Sequence, residues 1–197
     1  MLQSLRLGPA QVDPSRVLPP VLLPLVHAAQ RGSDLVAEIE SISRHFQFDS
    51  FMYGVAVSPR PDNESCVYAF TTMPMEWVGR YDQMAYVEID PRVSGTWDTT
   101  APLLWDQTTT RGKSARIYAF LDDALAHGIG SVFASHCTMK LASASWLCSA
   151  QPRQSSLDSR QQQIARDLGE MVVFAHYFHD LFMKGLWRRE CRQRRLD

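Results

Sequence analysis

The sequence predicts an α+β fold, an α/β/α sandwich with a central antiparallel sheet of about five strands. Three observations lead there. Phe51, Tyr53, Val55 and Val57 alternate with smaller residues, the two-residue period of a half-buried strand. Leu35, Ile39, Ile42 and Phe46 recur at helical spacing, and so do Ile164, Leu168, Met171, Val172, Ala175, Phe178 and Phe182. The segments run helix, two strands, several helices, two or more strands, long helix. Hairpins join the strands, so helices before, between and after them can cover both sheet faces. A ligand cavity is expected between the sheet and the helices of residues 73–97.

Composition narrows the class. With 197 residues the chain is long enough for one domain with a substantial core. Twenty Lys and Arg against 21 Asp and Glu exclude nucleic-acid binding by bulk charge. The exception is local: Arg188, Arg189, Arg192, Arg194 and Arg195 crowd the last ten residues. The four cysteines show no CxxC spacing, so zinc ribbons and thioredoxin-like motifs are not expected, and reduced thiols in a cytosolic protein are. Pro19, Pro20 and Pro24 interrupt the one apolar run near the N-terminus, and no run has the length of a membrane span. The expectation is a cytoplasmic protein with no metal or cofactor and no membrane contact.

In chain order, residues 1–32 hold five prolines and predict an extended arm, with a short helical turn around Leu25–Gln30. Residues 33–187 form the folded domain, and 188–197 an Arg-rich tail. Ser33 is the expected N-cap of the first firm helix. Pro59–Asn63 is the turn of a hairpin whose second strand is Cys66–Thr71. Pro74 suits a helix start, and Trp77, Tyr81 and Met84 then share a helical face. Asp90-Pro91 starts a short helix with Val93 and Trp97 four apart, and Pro102 marks a loop. Ser114 opens a helix with Ile117, Phe120, Leu121, Ala124 and Leu125 inward, stopped at Gly128. Ile129–Met139 and Ala144–Ala150 read as a second strand pair, and Ser155–Asp158 as the start of the long helix.

The chemistry concentrates between Met73 and Trp105. An indole donor (Trp77), a phenol (Tyr81), a carboxylate (Asp90) and a second indole (Trp105) suit a small amphiphile carrying both a carbonyl and an N–H. Plainer readings stand beside this one. Trp77, Tyr81 and Met84 fit an ordinary core face. Asp90 before Pro91 is a good N-cap, a role that leaves one carboxylate oxygen for a ligand. Trp105 suits a lid or a core plug. His176 and His179 are three apart but lack a third metal ligand. His136-Cys137 point to opposite strand faces, which disfavours a base–nucleophile pair. Asp122-Asp123 is most simply a solvated helix face, and the terminal arginines a solvated helix end, a linker or a short nucleic-acid contact.

In combination, Tyr53-Gly54, Pro74-x-x-Trp77-x-x-x-Tyr81, Tyr86, Asp90-Pro91-x-Val93, Pro102-x-x-Trp105 and Ala124-Leu125-x-x-Gly128-Ile129 carry a resemblance. Over roughly residues 33–185 the chain resembles the autoinducer-binding domain of LuxR-type quorum-sensing regulators. The resemblance implies an N-acyl-homoserine lactone as ligand. Trp77 would give its N–H to the lactone carbonyl, Asp90 would accept the amide N–H, and Tyr81, Trp105 and Phe120 would pack around acyl chain and ring.

Departures from the family pattern point to a retuned pocket. Met73 stands where the family has a tyrosine whose hydroxyl holds the acyl carbonyl. Cys148 matches the position of a Ser or Thr, and Val132 replaces a glycine. An unsatisfied buried carbonyl costs about 1–3 kcal/mol, roughly 5- to 150-fold in affinity. Tyr53, Tyr68 or a water would have to restore the donor.

The family's helix-turn-helix domain has no counterpart here, so direct DNA binding is not expected of this chain. The expected function is a regulatory module that binds an autoinducer and dimerises, with itself or with a full-length LuxR-type regulator. A heterodimer of that kind would be inhibitory. The alternatives are the ligand-binding part of a DNA-binding activator, or an enzyme on a similar sandwich, for which no base–nucleophile pair is evident.

Overall fold

In the computed structural model, structure is described for residues 18–57, 66–96, 99, 101–106, 114–139, 142–150 and 157–193. Within these, residues 57, 66–68, 105–106, 137–139, 142–150, 157–161 and 186–193 are described by their backbone alone. The elements are α1 (Leu23–Arg31), α2 (Val36–His45), β1 (Ser50–Val57), β2 (Cys66–Thr71), α3 (Met75–Gln83), α4 (Pro91–Ser94), β3 (Leu103–Asp106), α5 (Ala115–Ala126), β4 (Ser131–Met139), β5 (Ala142–Ala150) and α6 (Leu157–Gln193). Short 3-10 turns precede α1 and join α3 to α4. The mixed helix-and-sheet class is as predicted. The expected turn at Pro59–Asn63 lies outside the described residues.

The strands pair in the order β2-β1-β5-β4-β3, every neighbour antiparallel. Because strand side chains alternate, each face collects its own core. Phe51, Tyr53 and Val55 of β1, Phe70 of β2 and Phe133 of β4 pack with α1, α2 and α6 in one cluster. Val132 and Ala134 of β4 and the partly buried Met52 of β1 pack with α3, the 3-10 turn and α5 in the other. The change of side from Val132 to Phe133 to Ala134 makes the sheet the wall between two separate cores. Helices therefore lie on both faces, and the second core is the one that holds Trp77.

Several elements depart from the sequence reading. The predicted arm is helical from Pro20 to Arg31, and Leu22, Leu25, Val26, Ala28 and Ala29 are buried in the first cluster. Pro20 and Pro24 each sit in the first turn of their helical segment, where a missing N–H costs nothing. The N-cap position of α2 is Leu35 rather than Ser33, and the first helical N–H, that of Val36, is accepted by Asp34 Oδ1 at 3.1 Å. Pro102 lies outside the regular elements, as expected of a loop, and Leu103–Asp106 just after it is a strand that the sequence reading did not assign, paired along β4. Met84 is 40% exposed because α3 ends one residue earlier and Met84 is its C-cap. Leu125 is likewise exposed.

Gly128 ends α5 as expected. Its φ of 83° lets the Gly128 N–H reach the Leu125 carbonyl at 2.9 Å and the Ile129 N–H reach that of Ala124 at 2.8 Å. That double bond is the signature of a left-handed C-terminal cap.

Helix α6 seals the first core. With 37 residues it is about 55 Å long at 1.5 Å per residue. Phe178 and Phe182 meet the Tyr53 ring edge-on at 4.9 Å each. The Tyr53 hydroxyl lies 2.7 Å from Nδ1 of His179, which is buried, while its Nε2 has no hydrogen-bond partner among the described residues. His176 is exposed, its Nδ1 on the Val172 carbonyl, so the two histidines do not converge.

Burial, with smaller contributions from His176 and His136 against an opposing one from Asp180, holds the His179 pKa down to about 4. The unfolded chain therefore binds this proton first. The contribution is complete above about pH 6.5 and is lost as pH falls toward about 4. Urea unfolding at about pH 7 and about pH 4.5 should show the wild type losing on the order of 1–3 kcal/mol more than His179→Gln on acidification. Equal losses would remove His179 from the acid response.

Candidate functional site

The site face begins where β2 hands the chain to α3. Thr71 Oγ1 donates to the Phe51 carbonyl at 2.8 Å and accepts from the Met73 N–H at 3.0 Å. Thr72 Oγ1 accepts from the Phe51 N–H at 3.1 Å. These bonds fix the strand end and set Met73, buried, against the second core. Pro74 takes the N-cap position, and the first inward residue of α3 is Trp77.

Trp77 is the centre of an aromatic cage. Its ring lies 5.7 Å from Tyr81, 6.0 Å from Tyr86, 6.1 Å from Phe120 and 5.4 Å from His127. Phe120 is fully buried and also meets the edges of Tyr81 and Tyr86. Val132 is fully buried beneath them. Trp77 is 3% exposed as a residue, and its indole N–H is not among the buried side-chain atoms left without a partner, which among the described residues are those of Ser43, Ser135 and His179.

Asp90 closes the polar end and is 2% exposed. It caps α4 as predicted, with Oδ1 accepting from the Arg92 N–H at 2.8 Å. The Arg92 side chain, 3% exposed, then folds back over it. Nε lies 2.7 Å from Oδ1 and 3.0 Å from Oδ2, and Nη2 lies 2.6 Å from Oδ2. Tyr81 adds its hydroxyl to Oδ2 at 3.0 Å. The guanidinium stacks over Phe120, Cζ 5.0 Å from the ring centroid. Burial first, then the Asp90 carboxylate, pushes the Tyr81 phenol far up, so it stays protonated and donates.

A second clamp holds the cage from outside. Arg80 of α3 and the Tyr86 hydroxyl both bond Oδ2 of Asp123 on α5, Arg80 at 2.8 Å. Asp123, expected as a solvated helix face, thus ties α3, the 3-10 turn and α5 together. The Tyr86 and Arg80 bonds hold its carboxyl below the usual range.

The structure brings together Met73, Trp77, Tyr81, Asp90 and Phe120 of the predicted set. It does not bring Tyr53, which lies on the other sheet face with its hydroxyl on His179. Cys148 is registered with Phe51 and Phe133, both in the α6-side core. The positions opposite Met52, Val132 and Ala134 are Leu147 and Ser149. The match to Cys148 is therefore one residue out of register with the site-facing positions. Trp105 is registered with Val132, and Tyr68 with Val55. Arg92 was missed, because a lone arginine in a polar segment reads as surface. Its position two residues after an N-cap aspartate beside buried aromatics was the available signal. An open cleft of about 190 Å³ between α1 and α2, lined by Val21, Pro24, Glu38, Ser41, Ile42 and His45, carries none of these residues.

The site face thus consists of a sheet wall, an overlying helix pair and a caged indole beside a buried carboxylate. The chain belongs to the Autoinducer binding domain family of LuxR-type regulators, whose profile matches residues 32–181. It is 31% identical over 93 residues to the transcriptional activator protein SolR of Ralstonia nicotianae, covering 47% of this chain and 39% of SolR. It is 31% identical over 86 residues to PhzR of Pseudomonas fluorescens, a match spanning 44% of this chain and 35% of that activator. The matches thus span well under half the length of these relatives.

The fold is similar to that of the N-acylhomoserine lactone dependent factor CepR2 from Burkholderia cenocepacia. The TM-score is 0.66 at 20% identity, over 84% of this chain and 96% of that one. For Escherichia coli SdiA the TM-score is 0.53 at 20% identity, over 77% and 57%.

Removing one partner of a buried ion pair strands the other. Arg92→Ala should lower unfolding stability by about 3–5 kcal/mol. Asp90→Asn combined with Arg92→Met should cost clearly less than the two single changes summed, as read in a urea double-mutant cycle. Additive losses would mean that the pair is not coupled.

Proposed function

We infer that this domain senses a small acyl signal, an N-acyl-homoserine lactone or a related amphiphile, at the cage on the α3–α5 face of the sheet. The observation that carries this reading is Trp77, whose ring is enclosed by Tyr81, Tyr86 and Phe120 beside the buried Asp90 while its indole N–H stays available as a donor. An indole N–H that bonds no protein group is free to donate, and a ligand carbonyl is a fitting acceptor. Met73, Tyr81, Phe120 and Trp105 are proposed to line the acyl chain and head group. The membership in a family of autoinducer-binding domains supports the same reading.

The proposed output is dimerisation, with a second copy or with a LuxR-type regulator that carries a helix-turn-helix domain. Dimeric helix-turn-helix proteins use two reading heads on two half-sites. A heterodimer in which one subunit supplies no head would bind DNA poorly and act as an inhibitor. The names of SolR and PhzR as transcriptional activators support a role for the sensor in gene regulation.

Native mass spectrometry of the purified protein should find a small acyl ligand or accept an added one. Trp77→Phe should weaken binding by roughly 10-fold, the loss of one buried hydrogen bond. Unchanged affinity would take Trp77 out of the site. Absence of any complex with a LuxR-type regulator at micromolar concentration, with and without ligand, would sink the inhibitor output.

A further inference from the structure

Asp90 is the one described carboxylate that joins the cage through Tyr81, and its acceptor capacity is already filled. A carboxylate offers about four lone-pair sites. Four donor hydrogens occupy them: the Arg92 backbone N–H, Arg92 Nε–H shared between both oxygens, Arg92 Nη2–H and the Tyr81 hydroxyl. The two Arg92 groups are held by burial, the α4 cap and the Phe120 ring, and the half-buried Tyr81 by edge-on contacts with Trp77, Tyr86 and Phe120. The pair also carries no net charge, so it does not draw in an N–H as a bare carboxylate would. At the same cage Trp77 contributes a donor, and Met73 contributes a thioether, at best a weak acceptor.

We propose that Arg92 is a specificity-determining residue: by occupying Asp90 it turns the site toward acyl ligands whose head group presents acceptors without an amide N–H. Esters and ketones are the chemical class that fits. The inference rests on the ligand-binding reading of the same cage. An N–H brought against this filled carboxylate must displace Arg92 or Tyr81, or go without its charge-assisted bond. Either loss weakens binding roughly 5- to 100-fold relative to an open carboxylate.

The test changes one atom in the ligand. N-octanoyl-homoserine lactone is compared with its ester isostere, α-octanoyloxy-γ-butyrolactone, by calorimetry on the wild-type chain. The ester should bind as tightly as the amide, within about threefold, or tighter. An amide preference beyond about threefold would overturn the proposal while leaving the ligand-binding reading intact. Failure of both probes to bind would overturn that reading and this one with it. In Arg92→Thr, verified as folded by circular dichroism, the ratio should move toward the amide by about 10-fold, and an unmoved ratio would remove Arg92 as the cause. The wild-type comparison decides the matter by itself should that variant not fold.

Discussion

The buried pair between Asp90 and Arg92 is the constraint around which the site is arranged. Two opposite charges taken out of water are tolerated only when the geometry and the remaining hydrogen bonds are good. Here the same carboxylate caps α4, receives the guanidinium and anchors the Tyr81 hydroxyl. Tyr81 in turn fixes one wall of the Trp77 cage, and Arg92 rests on Phe120, which fixes another. A shift of Arg92 would therefore be felt at the cap, the phenol and the aromatic floor together.

The sheet divides the remaining work. Its α6 face is sealed by aromatic packing and the Tyr53–His179 bond, whose histidine stays neutral through burial. Its other face carries the cage, roofed by α3 and α5. Those two helices are fastened to each other through Arg80, Tyr86 and Asp123. One face is closed by apolar packing, and the other carries the proposed recognition site. A residue's strand parity decides which of the two it serves.

What depends on local period was legible in the sequence. The stripe Leu35–Phe46, the alternation Phe51–Val55, the Trp77–Tyr81 face and the Gly128 stop all arise from spacings within one element. What depends on pairing between distant segments was not. Register separated Tyr53 and the position of Cys148 from the site, because a shift of one residue exchanges sheet faces. The strand at Leu103–Asp106 forms only because β4 offers it an edge. The prolines before Arg31 counted against a helix, yet first-turn positions accept them. Asp123 read as a solvated charge because its partners lie on other elements, and Arg92 drew no reading because its bond to Asp90 arises from a backbone turn that spacing does not reveal. Five residues of the expected site do come together, since aromatic residues and a pre-proline aspartate keep their meaning in either context.

Everything at the site follows from Asp90 being held by Arg92 inside the protein, and it should stay held when a ligand binds. Nitrogen–proton NMR of the Arg92 Nε–H, assigned by its loss in Arg92→Thr, measures this directly. The resonance should be shifted by its carboxylate partner and protected from solvent exchange, in the free protein and with the ester isostere bound. Exchange at the rate of a surface arginine, or release of the resonance when ligand is added, would contradict it.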